Sequence, residues 1–266
     1  MTDKNLASIG IFGGSGFYSF LDDVKEYVIE TPYGKTSDKI AIGKVGGKSV
    51  AFMPRHGKEH SITPENVNYR ANVWAMKQVG CKHIISPCAA GSLQKEIKPG
   101  DIVFCDQFVD WTFGKRKDTF FEGPIVTHVS AAETYCPKLR KLALDSAEKL
   151  GLSYHKTGTV VVINGPRFST KAESKFFTSQ GWGVINMTQY PESYLVKEMD
   201  MCPLNISLIT DYDAGLVSDT EPVSHAAVIE VFKSNIENLK KLLVQIITDF
   251  EEYDCACHQT SKNSRA

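Results

Sequence analysis

Two aspartates two residues apart, Asp211 and Asp213, close the apolar run from Leu204 to Ile209. In an extended chain that spacing can turn both carboxyls to one side. A carboxyl held there against an apolar wall keeps its proton longer and can hand it to a leaving group. Aspartates also cap turns, so the pair by itself leaves both readings open. Pro54-Arg55-His56-Gly57 follows another apolar run. An arginine beside a histidine at a strand end suits an anion, because guanidinium donors match phosphate oxygens. The alternative is a surface ion pair and a turn histidine.

Four further segments share this position just past an apolar run. Gly13-Gly14-Ser15-Gly16 has glycines that let backbone amides and the Ser15 hydroxyl approach an oxyanion, or that simply form a tight turn. It is neither a Walker A loop nor a G-x-G-x-x-G motif, since no lysine follows and Phe17-Tyr18 is bulky. Cys88-Ala89-Ala90-Gly91-Ser92 leaves room for a ligand against bare backbone, or fills a crowded sheet–helix junction. Asn164-Gly165-Pro166-Arg167-Phe168-Ser169 carries an aromatic ring that can stack on a planar base or enter the core. Asn186-Met187-Thr188 offers a thioether and a hydroxyl. No serine elbow, Ser/His/Asp order or metal-ligand set stands out. Anion donors, an aromatic plate and an acid without a nucleophile suit a reaction in which phosphate itself attacks.

The elements that must position these residues alternate along the chain. Strand-like runs occur at Ser8 to Phe12, His83 to Ser86, Ile102 to Phe108, Thr157 to Ile163, Val184 to Met187 and Leu204 to Thr210. Lys39 to Lys44 and Lys48 to Met53 flank Val45-Gly46-Gly47, a hairpin signal. Thr63-Pro64-Glu65 reads as a helix start running to Gly80, and Pro137 to Leu150, Lys171 to Ser179 and Pro191 to Asp200 are further helices. Ser224 caps the longest, to about Phe250. This order predicts a single α/β domain, a mixed, partly parallel twisted sheet with helices on both faces, over residues 1–250 with a polar tail at 251–266. Ligands of such sheets sit beyond the strands' carboxyl ends.

Composition narrows the function classes. The chain has 266 residues, 30 basic and 31 acidic, and a net charge of −1. It therefore lacks the long-range field that nucleic acid or an anionic membrane requires, and any anion must be caught locally. No apolar stretch reaches the roughly 18–20 residues of a membrane span. Asp3 and Lys4 ahead of a strand-like run do not resemble a signal peptide, so a cytoplasmic protein is expected. Seven scattered cysteines do not read as a secreted disulfide framework. Cys255 and Cys257 form C-x-C beside His258, but no fourth ligand lies nearby, so no metal is expected. Whether Cys136 and Cys202 pair depends on the fold.

I-G-I-F-G-G-S-G at 9–16, M-P-R-H-G at 53–57, N-Y-R-A-N-V-W-A at 68–75 and A-G-S-L at 90–93 resemble purine nucleoside phosphorylases of the methylthioadenosine phosphorylase group. P-G-D-I-V at 99–103, D-Q-F-V-D at 106–110, G-P-R-F-S at 165–169, I-N-M-T at 185–188 and T-D-Y-D at 210–213 extend the likeness from about 8 to 250. The resemblance implies a nucleoside-phosphorylase fold and reversible phosphorolysis of 5′-methylthioadenosine, or of adenosine or inosine/guanosine in a broader relative. It implies no cofactor, with nucleoside and inorganic phosphate as the small-molecule partners. Phosphate would lie at Ser15, Arg55, His56, Cys88, Ala89 and Thr188. Phe168 would line the base pocket and Met187 the sugar, with Asp211, the catalytic acid, at the purine N7 and Asp213 at the 6-amino group. Ser169 and His225 bear on specificity, and His225, Val228 and Ile229 meet the 5′ end. His225 and Cys88 depart from the family pattern, the latter from a frequent threonine. A homotrimer, possibly a hexamer, is implied, with a neighbour's His128 reaching the site.

Overall fold

The computed structural model describes residues 5–14, 21–124, 126–214, 216 and 225–264, with backbone alone for 225–229, 232–234 and 263. Within these, an eleven-stranded mixed sheet runs β2 (Asp22–Tyr27), β3 (Ile40–Val45), β4 (Lys48–Pro54), β1 (Ile9–Gly13), β5 (His83–Ser92), β10 (Val184–Asn186), β9 (Thr159–Ile163) and β7 (Gln107–Trp111). From β5 a second path leaves through β11 (Cys202–Tyr212) to β6 (Ile102–Val103) and β8 (Tyr154–His155). β1 is parallel to β4 and β5, and β5 to β11, while β10 crosses the end of β5 antiparallel.

Strand side chains alternate between two cores, as a period of two requires. Ile9, Ile11, Val50 and Phe52 face one, where α2 (Pro137–Lys149) and α5 (His225–Asp249) pack through Leu139, Ala143, Leu242 and Ile246. Phe12, Ala51 and Met53 face the other, against α1 (Tyr69–Gln78) and α4 (Gln189–Glu198) through Val73, Met76, Leu195 and Val196. α3 (Lys171–Ser179) closes the β9–β10 end with Phe177, and its start carries a capping box between Thr170 and Glu173. No described helix is long and apolar enough to cross a membrane.

Several boundaries differ from expectation. Thr63-Pro64-Glu65 opens only a 3-10 turn, Pro64–Asn66; the helix begins after Asn68, whose side chain accepts from the Ala71 amide. The run at 102–108 divides into β6 and β7, and that at 157–163 begins as β9 after a separate β8. The small residues Cys88 to Ser92 lie inside β5, and Asp211 lies inside β11. β2 is a strand with no apolar signal, exposed along almost its whole length. Beyond residue 250 the polar tail packs back on the domain: Cys257 is buried, and the Ser261 amide and hydroxyl donate to Asp200 at 2.7 and 2.6 Å.

Candidate active site

β1 and β4 end side by side, and Arg55 leaves β4 with its amide on Gly13 O at 3.0 Å. Its guanidinium is buried, 3% exposed, and grips Glu192 through Nε and Nη2 at 2.6 and 2.8 Å. Nη2 also reaches Phe12 O at 3.1 Å and Nη1 reaches Pro87 O at 3.3 Å. Burial opposes the charge of Arg55, yet Glu192 more than offsets it and the pKa is raised. The expected anion clamp is thus already half engaged by a carboxylate from the first turn of α4. One Nη1 N–H beside Pro87 is what remains for a ligand among the described contacts.

His56 hydrogen bonds Ile62 O through Nδ1 at 2.9 Å, and a carbonyl only accepts, so Nδ1 carries the proton. Burial and then the charge of Arg55 lower its pKa to about 4. The ring is neutral near neutral pH, and its other nitrogen is an acceptor. Beyond Pro87, Cys88 Sγ lies 3.3 Å from Asn186 Nδ2 and 3.4 Å from Asn205 Nδ2. Asn186 Oδ1 in turn accepts from the Thr188 and Gln189 amides at 3.3 and 3.4 Å. Asn186 therefore ties the middle of β5 to the start of α4. Thr188 is buried at that N-cap, and its hydroxyl makes no capping bond. Ala89 follows Cys88 in β5, partly exposed.

The acids gather around Gly91. A register shift in β11 between Ile209 and Asp211 sets Asp211 opposite Gly91, and a bulge of this kind re-aims a side chain. A Cβ on Gly91 would stand 3.0 Å from Asp211 Oδ1, 3.1 Å from Ile185 Cγ2 and 3.6 Å from Asp213 Cβ. Burial raises the Asp211 pKa and the neighbouring Asp213 adds to it, against a 2.7 Å hydrogen bond from Thr210 Oγ1 to Oδ2. Asp213 is 3% exposed, with Ser169 Oγ at 2.5 and 2.6 Å from its two oxygens. Phe168, next to Ser169, is exposed on the loop that follows β9. Met187 packs beside Ile185 and fills the space over Gly165, where a Cβ would meet Met187 Sδ at 2.6 Å.

A family model described as the phosphorylase superfamily matches residues 8–248. The chain belongs to the phosphorylase superfamily. It is 49% identical to an S-methyl-5′-thioadenosine phosphorylase of Thermofilum pendens over 94% of this chain and 95% of that one. It is 45% identical to a purine nucleoside phosphorylase of Streptomyces coelicolor, covering 97% and 95%. The crystal structure of a methylthioadenosine phosphorylase from an antarctic soil metagenomic library superposes with a TM-score of 0.93 at 36% identity, covering 99% and 93%.

Arg55, Cys88 and Thr188 thus converge, as do Ser169, Asp211 and Asp213. Ser15 lies outside the described residues, as do the side chains of His225, Val228 and Ile229 at the start of α5. His128 is exposed, its amide on Ser264 O at 2.9 Å.

Two residues that sequence reasoning missed organise this cluster of candidate residues. Glu192 reads as an ordinary acid in a helix's first turn. Arg116, within Lys115-Arg116-Lys117, reads as a solvated charge run, yet it is 6% exposed. Its Nη2 donates to Asn164 O and Met187 O, both at 2.8 Å, and Nη1 to Tyr190 O and to Tyr69 Oη. It pins the ends of β9 and β10 to the start of α4. No carboxylate pairs with it among the described residues. Its charge reaches His56 and so adds positive potential beside Arg55.

Gly91→Ala tests the packing under the acids. The new methyl must displace Asp211 Oδ1 or Ile185 by a few tenths of an ångström, so kcat is expected to fall about tenfold or more. A melting curve close to the unmodified protein's would locate the loss in the site. Unchanged kcat would mean that Asp211 is not held against Gly91 during turnover.

Proposed function

We propose that this protein cleaves 5′-methylthioadenosine with inorganic phosphate, releasing adenine and 5-methylthioribose 1-phosphate. The observation that carries this reading is the pair of acids over Gly91, one favoured to hold a proton and one placed as an acceptor, with the buried Arg55 guanidinium at Pro87 O of the same strand, β5. As the C1′–N9 bond lengthens, its electrons pass to the purine and the sugar becomes cationic. A phosphate oxygen forms the new bond to C1′, and Asp211 gives its proton to N7 of the departing base. Thr210 occupies Oδ2 of Asp211, which leaves Oδ1 to carry that proton.

Phosphate would be held by Arg55, His56, Thr188, the Cys88–Ala89 backbone and Ser15. Arg116 strengthens its attraction without contact. Because His56 offers a bare ring nitrogen, it meets a protonated phosphate oxygen or takes up a proton as the dianion arrives. Met187 would pack on the sugar and Phe168 on the base. No cofactor enters this chemistry. The exposed His128 suits a role in a neighbour's site within a homotrimer, or a hexamer built from two, and the reading is of a cytoplasmic enzyme.

A broader purine nucleoside phosphorylase acting on adenosine, inosine or guanosine is the second reading, favoured by the name of the Streptomyces relative. Asp213 separates the two. Its carboxylate accepts hydrogen bonds, so it welcomes a 6-amino group and opposes a 6-oxo group. Asp213→Asn is expected to lower kcat/KM for 5′-methylthioadenosine by about 10-fold to 100-fold and to raise it for inosine. Parallel assays of 5′-methylthioadenosine, adenosine and inosine read this directly. An unmodified protein that prefers inosine would overturn the base assignment.

A further inference from the structure

The expectation that Cys255 and Cys257 lack further ligands reverses once the chain is folded. Cys136 precedes the first turn of α2, Cys202 is the first residue of β11, and the tail brings Cys255 and Cys257 against both. All four Sγ atoms lie within 4.8 Å of one another, and Cys136 and Cys255 are 3.6 Å apart. We infer that these four thiols form a tetrahedral zinc site that staples the C-terminal tail to the domain.

The geometry fits the metal. Zinc–thiolate bonds of about 2.3 Å place the sulfurs of a tetrahedral site about 3.8 Å apart. The separations here bracket that value, so closing on an ion needs movements of less than about 1 Å. Backbone bonds outside the cluster hold the ligands: the Cys136 amide on Pro203 O at 2.9 Å, the Cys202 amide on Lys82 O at 2.8 Å, and the His258 amide on Cys255 O at 3.0 Å. Four thiolates and one zinc ion carry a net charge of −2, and the surroundings answer it. The Leu139 amide, at the positive end of α2, donates to Cys136, and Tyr253 Oη lies 3.5 Å from the same sulfur. The Lys197 ammonium is near enough to feel Cys136, Cys255 and Cys257, and His258 Nε2 is 3.4 Å from Cys202 Sγ. All-sulfur tetrahedral sets select zinc or iron, and a closed set of four leaves no position for substrate.

This site is not part of the phosphorolysis machinery. Cys202 and Asp211 stand at opposite ends of β11, about 30 Å apart along an extended strand. The metal would act on the tail, which meets Asp200 through Ser261 and the His128 amide through Ser264. Binding exchanges four S–H protons for four S–Zn bonds, with no change of oxidation state.

The test uses the full chain, purified under thiol-reducing conditions without added metal or a metal-affinity step. Elemental analysis is expected to find about one zinc ion per chain, released when a mercurial blocks the thiols. The double variant Cys255→Ser/Cys257→Ser is expected to lose the zinc and melt roughly 10 °C lower. Because the metal content of the unmodified chain is itself decisive, a variant that fails to fold leaves the test intact. Metal-free protein with every thiol titratable would overturn the proposal. So would a non-reduced mass lighter by pairs of hydrogens, which would mean disulfides instead.

Discussion

Replacing Asp211 by alanine is expected to lower kcat for 5′-methylthioadenosine by about 10²-fold to 10⁴-fold with little change in the melting temperature. The size follows from what is removed. Adenine leaves as an anion unless N7 is protonated, and burial with the Asp213 charge keeps Asp211 protonated to higher pH than an ordinary aspartate. Asparagine retains a hydrogen-bond donor for N7 but no proton to give, so Asp211→Asn should lose less. The pH profile separates this role from mere shape. Turnover by the unmodified protein falls as pH rises through the raised pKa of Asp211, because the ionised form has no proton to deliver. The asparagine variant should lack that alkaline limb. A variant that keeps both full kcat and the limb would assign the proton to another group.

Glu192→Ala should produce the largest loss of stability, about 3–5 kcal/mol, with a fall in Tm on the order of 10 °C. Arg55 and Glu192 are 3% and 1% exposed, so removing Glu192 leaves a buried guanidinium without its counter-charge. The pair as a whole need not stabilise the fold against an apolar alternative, but removing one member strands the other. The same variant has a distinctive response to phosphate, which can supply the missing anion beside Arg55. Added phosphate is therefore expected to raise the Tm of Glu192→Ala more than that of the unmodified protein. Equal shifts would mean that phosphate does not bind at Arg55. Glu192→Gln keeps one acceptor and should fall between.

Local signals decided which parts of this architecture were legible beforehand. The hairpin at Gly46-Gly47, α2 behind Pro137 and α3 behind the Thr170 cap carry their own turn and cap chemistry, and each forms where the sequence expects it. Tertiary pairing decided the others. Cys-Ala-Ala-Gly-Ser is a poor strand sequence, yet it extends β5 because β11 and β10 both pair with it. β2 has charged residues along an exposed edge, so it shows no period at all. The acids could be singled out as a pair, but the bulge that turns Asp211 over Gly91 has no local signature. Arg116 and Glu192 were invisible because each looks like a surface charge until its buried partners, more than 40 residues away in sequence, are known. The thiol cluster is the same case, since Cys136 and Cys202 are distant in the chain from the C-x-C they meet.

The central claim, that phosphate held at Arg55 attacks a nucleoside whose base is protonated by Asp211, meets its most direct test in the phosphate dependence of turnover. The purified protein would be incubated with 5′-methylthioadenosine with and without inorganic phosphate, and free adenine and the sugar product followed by chromatography and mass. Adenine released only when phosphate is present, in step with 5-methylthioribose 1-phosphate, is the expected result. Adenine released at the same rate without phosphate, with free 5-methylthioribose as the product, would mean that water attacks C1′ and would contradict the account.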